Sequence, residues 1–241
     1  MQSWLDEYKV TVPEGKSGPW RVERFEIDNQ GAIKFNMHLM MNDCGHRRVL
    51  PGKYTKLQHK KDYNPIMSDT HAEVGDHLGF IRKATGSVLI TGLGLGVVLQ
   101  ACMRKPEVKD VTVIEKDKDV IKLVANHYYK MFGKERLKII HCDAFEFKPE
   151  KGKVWDAVWH DIWLNISTDN CEGVAKLNRK FGRHAEYQDY WAKPEIRRLR
   201  REERKSAELN KWLWNPIGGQ ISQTEFEPTP EKAKQLEGIK L

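Results

Sequence analysis

The chain has 241 residues, with 41 Lys and Arg against 34 Asp and Glu, a net charge of +7 and an isoelectric point near 9.1. That length suits one α/β domain with an appendage better than two full domains, and no apolar run approaches the roughly 18 residues of a membrane span. The opening MQSWLDEYKV carries no basic segment leading into an apolar one, so no signal peptide, no membrane partner and a cytoplasmic location are expected. From Trp20 to about Leu57 the pattern reads as β: GAIKFNMHLMM places Ile33, Phe35, Met37, Leu39 and Met41 at strict period two, after turn chemistry at Asp28 to Gly31. A further turn at NDCG precedes HRRVLPGKYTKL, and together these segments read as a small antiparallel meander. Cys44 and His46 stand close enough for half a metal site, but no second pair at ligand spacing follows, and no metal is expected. The cysteines contain no C-x-x-C pair, so neither a disulfide framework nor a zinc knuckle is expected.

From Pro65 to Asp161 the period alternates. SDTHAEVGDHLGFIRKATG spaces Thr70 and Glu73 as a capping box, sets Val74, Leu78 and Ile81 on one helical face, and offers Gly86 as a stop. There follow strand SVLIT, helix GVVLQACMRK, strand DVTVIE, helix KDVIKLVANHYYK, and strands LKIIH and WDAVWHD. Strands alternating with helices predict a Rossmann-like parallel sheet with flanking helices. After Trp163 the signals are helical, with GGQISQTEF the sole weak strand candidate, so the sheet is expected to be truncated after its fourth parallel strand. The expected organisation is an N-terminal β-rich region (1–62), a Rossmann-like core (63–165) and a helical C-terminal extension with a polar tail (166–241).

A strand that ends in a glycine-rich turn and opens a helix is a binding device, because glycine admits positive φ and lets backbone N–H groups approach a ligand. Gly92, Gly94 and Gly96 occupy that turn. By itself G-x-G-x-G is also compatible with a plain tight turn. Glu115 ends the next strand roughly 20 residues on, where a carboxylate can accept from the hydroxyls of a ribose. Asp143, in IIHCDAFEF, follows the third strand, where a carboxylate can meet an adenine amino group. Three such sites line one crevice at the carboxyl edge of the sheet. Nicotinamide dinucleotides are a rival ligand, but the loop lacks the G-x-G-x-x-G spacing that seats a pyrophosphate.

LITGLGLG, VTVIEKD, HCDAF and WDAVWHDIW, in this order, resemble the consecutive motifs of class I S-adenosylmethionine-dependent methyltransferases, and within them the spermidine synthase-like branch. The chain also resembles bacteriophage-encoded proteins of this type. The likeness covers roughly Pro65 to Trp163. It implies that Gly92, Leu93, Gly94 and Gly96 pass under the amino-acid part of S-adenosylmethionine, that Glu115 and Lys116 flank its ribose, and that Asp143 and Ala144 hold its adenine. Asp161 matches the position at which that branch keeps a functional aspartate. Methyl transfer needs in-line placement of the acceptor and a route for its proton, and Asp161 with His160 are the candidate catalytic residues. Strand alternation puts Trp159 and Asp161 on one side and His160 on the other. Trp163, just past the strand, is a candidate wall for the acceptor.

Departures from the family pattern narrow the activity. Spermidine synthases carry D-S-S-D-P where this chain reads Asp161-Ile162-Trp163-Leu164-Asn165, so the second polyamine-holding aspartate is missing. NPIM at Asn64 and NPIG at Asn215 lack the N-P-P-Y pattern of amino-group DNA methyltransferases, and no Pro-Cys nucleophile of a cytosine-C5 enzyme occurs. The expected function is therefore methyl transfer to a small-molecule or macromolecular acceptor. The alternatives are a non-catalytic S-adenosylmethionine or nucleotide-binding module and an aminopropyltransferase. The basic run 193–205 would suit nucleic acid, although its arginines and glutamates also space as i,i+4 pairs on a solvated helix. A truncated sheet edge would suit a homo-oligomer that completes it.

Overall fold

The computed structural model describes residues 6–41, 47–61 and 66–213. Two compact units are present, Met1–Arg197 and Arg198–Leu241. The first holds two sheets. Its N-terminal sheet is antiparallel, in the order β1-β2-β3-β4, from β1 (Gly15–Ser17), β2 (Trp20–Ile27), β3 (Gly52–His59) and β4 (Met67–Ser68). In register, Val22 faces Leu57 and Phe25 faces Tyr54. Val22 and Leu57 are buried in the same apolar cluster as the large sheet's residues, so this small sheet shares a core with the rest of its unit.

The segment expected as the central strand of that meander is a helix, α1 (Asn29–Met41). Asp28 starts it: its carboxylate accepts from Gly31 N–H at 2.6 Å and its carbonyl from Ala32 N–H, the arrangement of a helix N-cap. The alternating apolar residues do not mark a buried face. Ile33, Met37 and Met41 are 61%, 60% and 85% exposed, and the one buried residue of the helix is Ala32. Met and Leu are good helix formers, so period two here was coincidence of composition, without burial behind it.

The second sheet is parallel throughout, ordered β7-β6-β5-β8-β9, from β5 (Gly86–Thr91), β6 (Val108–Glu115), β7 (Leu137–His141), β8 (Trp155–His160) and β9 (Ala185–Tyr190). Helices α2 (His71–Lys83), α3 (Val97–Met103), α4 (Lys118–Phe132) and α5 (Asn170–Phe181) intervene. This is a Rossmann-like α/β fold. Alternation along β5 sends Val88 and Ile90 into the larger cluster, shared with Val74 and Phe80 of α2, and Leu89 into a smaller one with Leu177 and Phe181 of α5. Both faces are thus covered, as a parallel sheet requires.

The expected truncation is overturned by β9, which pairs with β8 from Trp155–Ala185 to His160–Tyr190. Its sequence AEYQDY is half-buried and polar because it lies at the edge of the sheet, which leaves little apolar periodicity to read. GGQISQTEF, Cys44, His46, Asn64 and Asn215 lie outside the described residues. Cys102, Cys142 and Cys171 are free thiols.

The α2 start also differs in detail. Thr70 is at the N-cap but makes no side-chain cap bond, and Glu73 instead accepts from Ser68 N–H at 2.6 Å and Ser68 Oγ at 3.1 Å. Glu73 is thereby turned toward the strand before it. In place of a glycine stop, Lys105 Nζ donates to the carbonyls of Ile81, Arg82 and Ala84 at the C-terminal end of α2. In the second unit, Arg198 to Leu213 continue as helix, the latter part of α6 (Lys193–Leu213).

Candidate functional site

The strand order reverses between β5 and β8, and a crevice opens at their carboxyl ends, the place such folds favour for ligands. Its cavity volume is about 180 Å³, far above the ~10–15 Å³ that one water occupies by the same kind of measure. Gly92 and Gly94, Glu115 and Lys116, Asp143 and Ala144, and Asp161 and Trp163 all line it. Leu93, Gly96 and His160 do not line it.

The glycine turn is shaped first by its protein neighbours. Gly92 has φ +94°, and a methyl group there would overlap the Asp161 carbonyl oxygen. The seam is closed by Asp161 N–H donating to the Thr91 carbonyl at 2.8 Å and by Gly92 N–H donating to the Ile114 carbonyl at 2.8 Å. A side chain at Gly94 would overlap the Met67 thioether, whose sulfur accepts from Leu95 N–H at 3.1 Å. Gly96 caps α3 beneath the Tyr128 ring, whose hydroxyl donates to the Leu95 carbonyl at 2.7 Å.

The carboxylate at the end of β6 is held by main-chain donors. Glu115 Oε2 accepts from the buried Leu93 N–H and Oε1 from Asp117 N–H, both at 2.8 Å. Each oxygen retains acceptor capacity. Asp117 caps α4 through Asp119 and Val120 N–H, and its other oxygen accepts from Trp20 Nε1 at 2.6 Å, which ties the small sheet to the rim. Asp143 Oδ1 accepts from Phe145 N–H at 2.7 Å.

The opposite wall comes from α2 and the end of β8. Glu73 and His77, one turn apart, both reach the crevice, and Asp161 Oδ2 lies 3.9 Å from His77 Nε2. Among the described residues neither ring nitrogen of His77 has a hydrogen-bond partner, although the side chain is 1% exposed. Burial moves all three titrations. It pushes Glu73 up to about 8 against the pull of the Ser68 donors. It raises Asp161 to about 7, reinforced by the Asp76 and Glu115 carboxylates and opposed by the Trp159 indole. It lowers His77 to about 3, with Arg47 contributing. Near neutral pH the wall therefore holds a protonated Glu73, a neutral His77 and an Asp161 close to its midpoint.

His160 lies on the other face of the sheet. It is fully buried beside Phe181, its Nδ1 is 3.1 Å from Thr91 Oγ1, and burial lowers it to about 4. Trp159 packs with Phe80 and His77. Trp163 leans on α5 at Gly173 and, with Trp20 and Trp191, gives the crevice an aromatic rim. Trp191 Nε1 donates to Asp76 Oδ2 at 3.2 Å, and Arg47 pairs with the same oxygen at 3.0 Å.

Sequence reading missed Glu73, His77, Met67, Trp20 and Trp191 as crevice residues. Glu73 and His77 carried a usable signal, an acid and a histidine at i,i+4 on a helix next to the glycine strand. Nothing local marks Trp20 or Trp191, which arrive from other strands. Among the described residues no cluster of His, Cys, Asp and Glu is arranged to hold a metal ion, and no helix is long and apolar enough to cross a membrane.

No family model matches the chain. Over 98 residues it is 31% identical to polyamine aminopropyltransferase 2 of Caldanaerobacter subterraneus subsp. tengcongensis, a stretch covering 40% of this chain and 31% of that one. Among solved structures it is similar to an S-adenosylmethionine-dependent methyltransferase from Clostridium acetobutylicum, at 12% identity and TM-score 0.34, covering 44% of this chain and 41% of that one. It is also similar to a dimethyladenosine transferase from Plasmodium falciparum, at 16% identity and TM-score 0.36, covering 61% and 45%. The chain spans less than half the length of each of these three proteins.

Proposed function

We propose that this chain is an S-adenosylmethionine-dependent methyltransferase whose acceptor meets the wall formed by Asp161 and His77. The observation that carries the reading is the convergence of two unlike walls on one crevice: carboxylates braced by main-chain donors at the ends of β6 and β7, and across from them a buried Asp161 beside His77, whose ring nitrogens have no hydrogen-bond partner among the described residues. The residues fit the donor. Glu115 has acceptor capacity left for ribose hydroxyls, Asp143 and Ala144 line the same crevice and would meet an adenine, and Gly92 and Gly94 contribute to its lining beside Met67. The donor supplies an electrophilic methyl group on a sulfonium.

The chain's own residues do the rest. Asp161 takes the acceptor's proton as its carboxylate, the form that grows as pH rises through about 7. Neutral His77 orients Asp161 or relays that proton, since an imidazole offers one donor and one acceptor nitrogen. Trp20, Trp163 and Trp191 exclude water from the rim and present aromatic faces to a cationic or planar acceptor.

Calorimetric titration with S-adenosylmethionine, S-adenosylhomocysteine, decarboxylated S-adenosylmethionine and NAD tests the reading. Roughly micromolar binding of the first two is expected, and retention of NAD alone would overturn it. A second reading is aminopropyl transfer. It is favoured by the identity to a polyamine aminopropyltransferase and by the two carboxyl side chains, Glu73 and Asp161, on the acceptor wall, and disfavoured by Leu164 in place of the second aspartate. Preference for the decarboxylated donor would select it. Silence from all four compounds would leave the crevice without a nucleoside function.

A further inference from the structure

The second compact unit carries a charge pattern that the crevice does not use. Within it, Arg200, Arg201, Arg204 and Lys205 are exposed. At ~100° per residue these four fall within one face of about 140°, while Glu202 and Glu203 fall on the opposite face. Arg198, at the edge, is held by Glu202 at 3.1 Å. Among the described residues, none of Arg200, Arg201, Arg204 and Lys205 is held in an ion pair. Lys211 returns to the line of Arg200 and Arg204, and Glu208 is the one acid that interrupts the stripe. Arg200 and Arg204, and likewise Arg201 and Lys205, thus stand about 6 Å apart along the helix axis.

We infer that this stripe docks the phosphodiester backbone of a nucleic acid, with Arg200, Arg201, Arg204 and Lys205 as its contacts. Guanidinium groups on an exposed, regular scaffold suit phosphate oxygens, to which they donate in fork geometry. An anionic membrane surface suits the stripe less well, because interfacial helices set a continuous apolar face against their basic one, and here Glu202, Glu203, Ser206 and Asn210 interrupt Leu199 and Leu209 on the opposite face. The net charge of +7 acts in the same sense by raising the local concentration of a polyanion. Contacts of this kind read charge and spacing and not sequence.

The test is fluorescence anisotropy of the full chain with labelled mixed-sequence single-stranded RNA, single-stranded DNA and duplex DNA, across roughly 50 to 200 mM salt. Four phosphate contacts predict a loss of affinity on the order of a hundredfold over that range. The variant Arg200→Gln/Arg201→Gln/Arg204→Gln/Lys205→Gln keeps good helix formers and is expected to flatten the salt dependence and abolish binding, with an unchanged helical circular dichroism signal. In the opposite direction, Glu202→Gln/Glu203→Gln is expected to tighten binding several-fold. The three arms tell RNA from DNA and single strand from duplex, and binding in any of them with these responses supports the inference. It is overturned by affinity that ignores salt, by a quadruple variant that binds as the wild type does, or by association with phosphatidylserine vesicles in the absence of nucleic-acid binding. Donor binding in the crevice is expected to be unchanged in the quadruple variant, so this outcome is separable from that of the methyltransferase reading.

Discussion

The two walls of the crevice are built on opposite principles. On the β6 side, carboxylates are over-determined: Glu115 accepts two backbone N–H groups and Asp117 accepts two more plus the Trp20 indole. On the α2 side, Asp161 and His77 are taken out of water with few donors to compensate, Glu73 is buried despite its two Ser68 donors, and burial moves all three titrations far from their usual values. A group locked by main-chain donors is suited to hold a ligand in one pose, while a desolvated group with spare hydrogen-bonding capacity is suited to exchange a proton. The contrast teaches that carboxyl groups lining one cavity acquire different work from their partners, not from their residue type.

Removing the reactive member of the second wall should have the largest effect. Asp161→Asn is expected to lower turnover by about 10²–10⁴-fold with donor affinity unchanged, as measured by single-turnover kinetics beside calorimetry. The wild-type kcat/KM should rise with pH through about 7, and this dependence should be absent from the variant's residual rate. A loss of donor affinity equal to the loss of rate would collapse the distinction between the walls.

Gly92→Ala attacks the seam the two walls share. The added methyl meets the Asp161 carbonyl at a φ of +94° that alanine rarely adopts. A loss of about 3 kcal/mol or more in denaturant unfolding is expected, with both functions failing together. Glu115→Gln should act on one wall alone. It keeps the shape but removes the charge and one acceptor, so donor affinity should fall roughly 10- to 100-fold while any turnover at saturating donor persists.

The pH dependence of stability separates the walls again. Glu73 titrates near 8 in the fold against ~4.3 unfolded, so between those values the native state binds more protons and stability falls as pH rises. His77 and His160 act oppositely, since their lowered values make stability rise with pH up to ~6.5. Between pH ~6.5 and 8 the Glu73 and Asp161 carboxyl groups carry most of the slope, with Asp161 contributing up to about 7. From pH 6.5 to 8 the Glu73 contribution should fall by about 1–2 kcal/mol, and Glu73→Gln should remove that slope in a series of urea melts. The smallest effect is expected from Trp20→Phe, which deletes one charge-assisted hydrogen bond to Asp117 and should cost about 1.5 kcal/mol while keeping an aromatic ring at the rim and leaving Asp161 and His77 in place.

Much of the crevice lining on the β6 side was legible along the chain because its parts are local: a glycine turn, then an acid at each of the next two strand ends, in chain order. Period and punctuation located β5 to β8 and α2 to α4 nearly to the residue, because buried strands and amphipathic helices must repeat at two and at 3.6. The same rule failed where burial was absent. α1 alternates apolar residues that face solvent, and β9 is a polar edge strand whose place is decided by its pairing with β8.

What the sequence determined by itself was the kind of fold and a crevice floored by Gly92 and Gly94 with Glu115 and Asp143 beside it. Only the tertiary structure decided that Met67 lies over the loop, that Trp20 and Trp191 close the rim and that His77 meets Asp161, whereas strand alternation already set His160 on the other face. The reason is physical. Propensity and periodicity act over a few residues, whereas desolvation and side-chain pairing depend on which distant elements are packed together. The shifts of Glu73, His77 and Asp161 come into being when α2 is laid across the ends of β5 and β8.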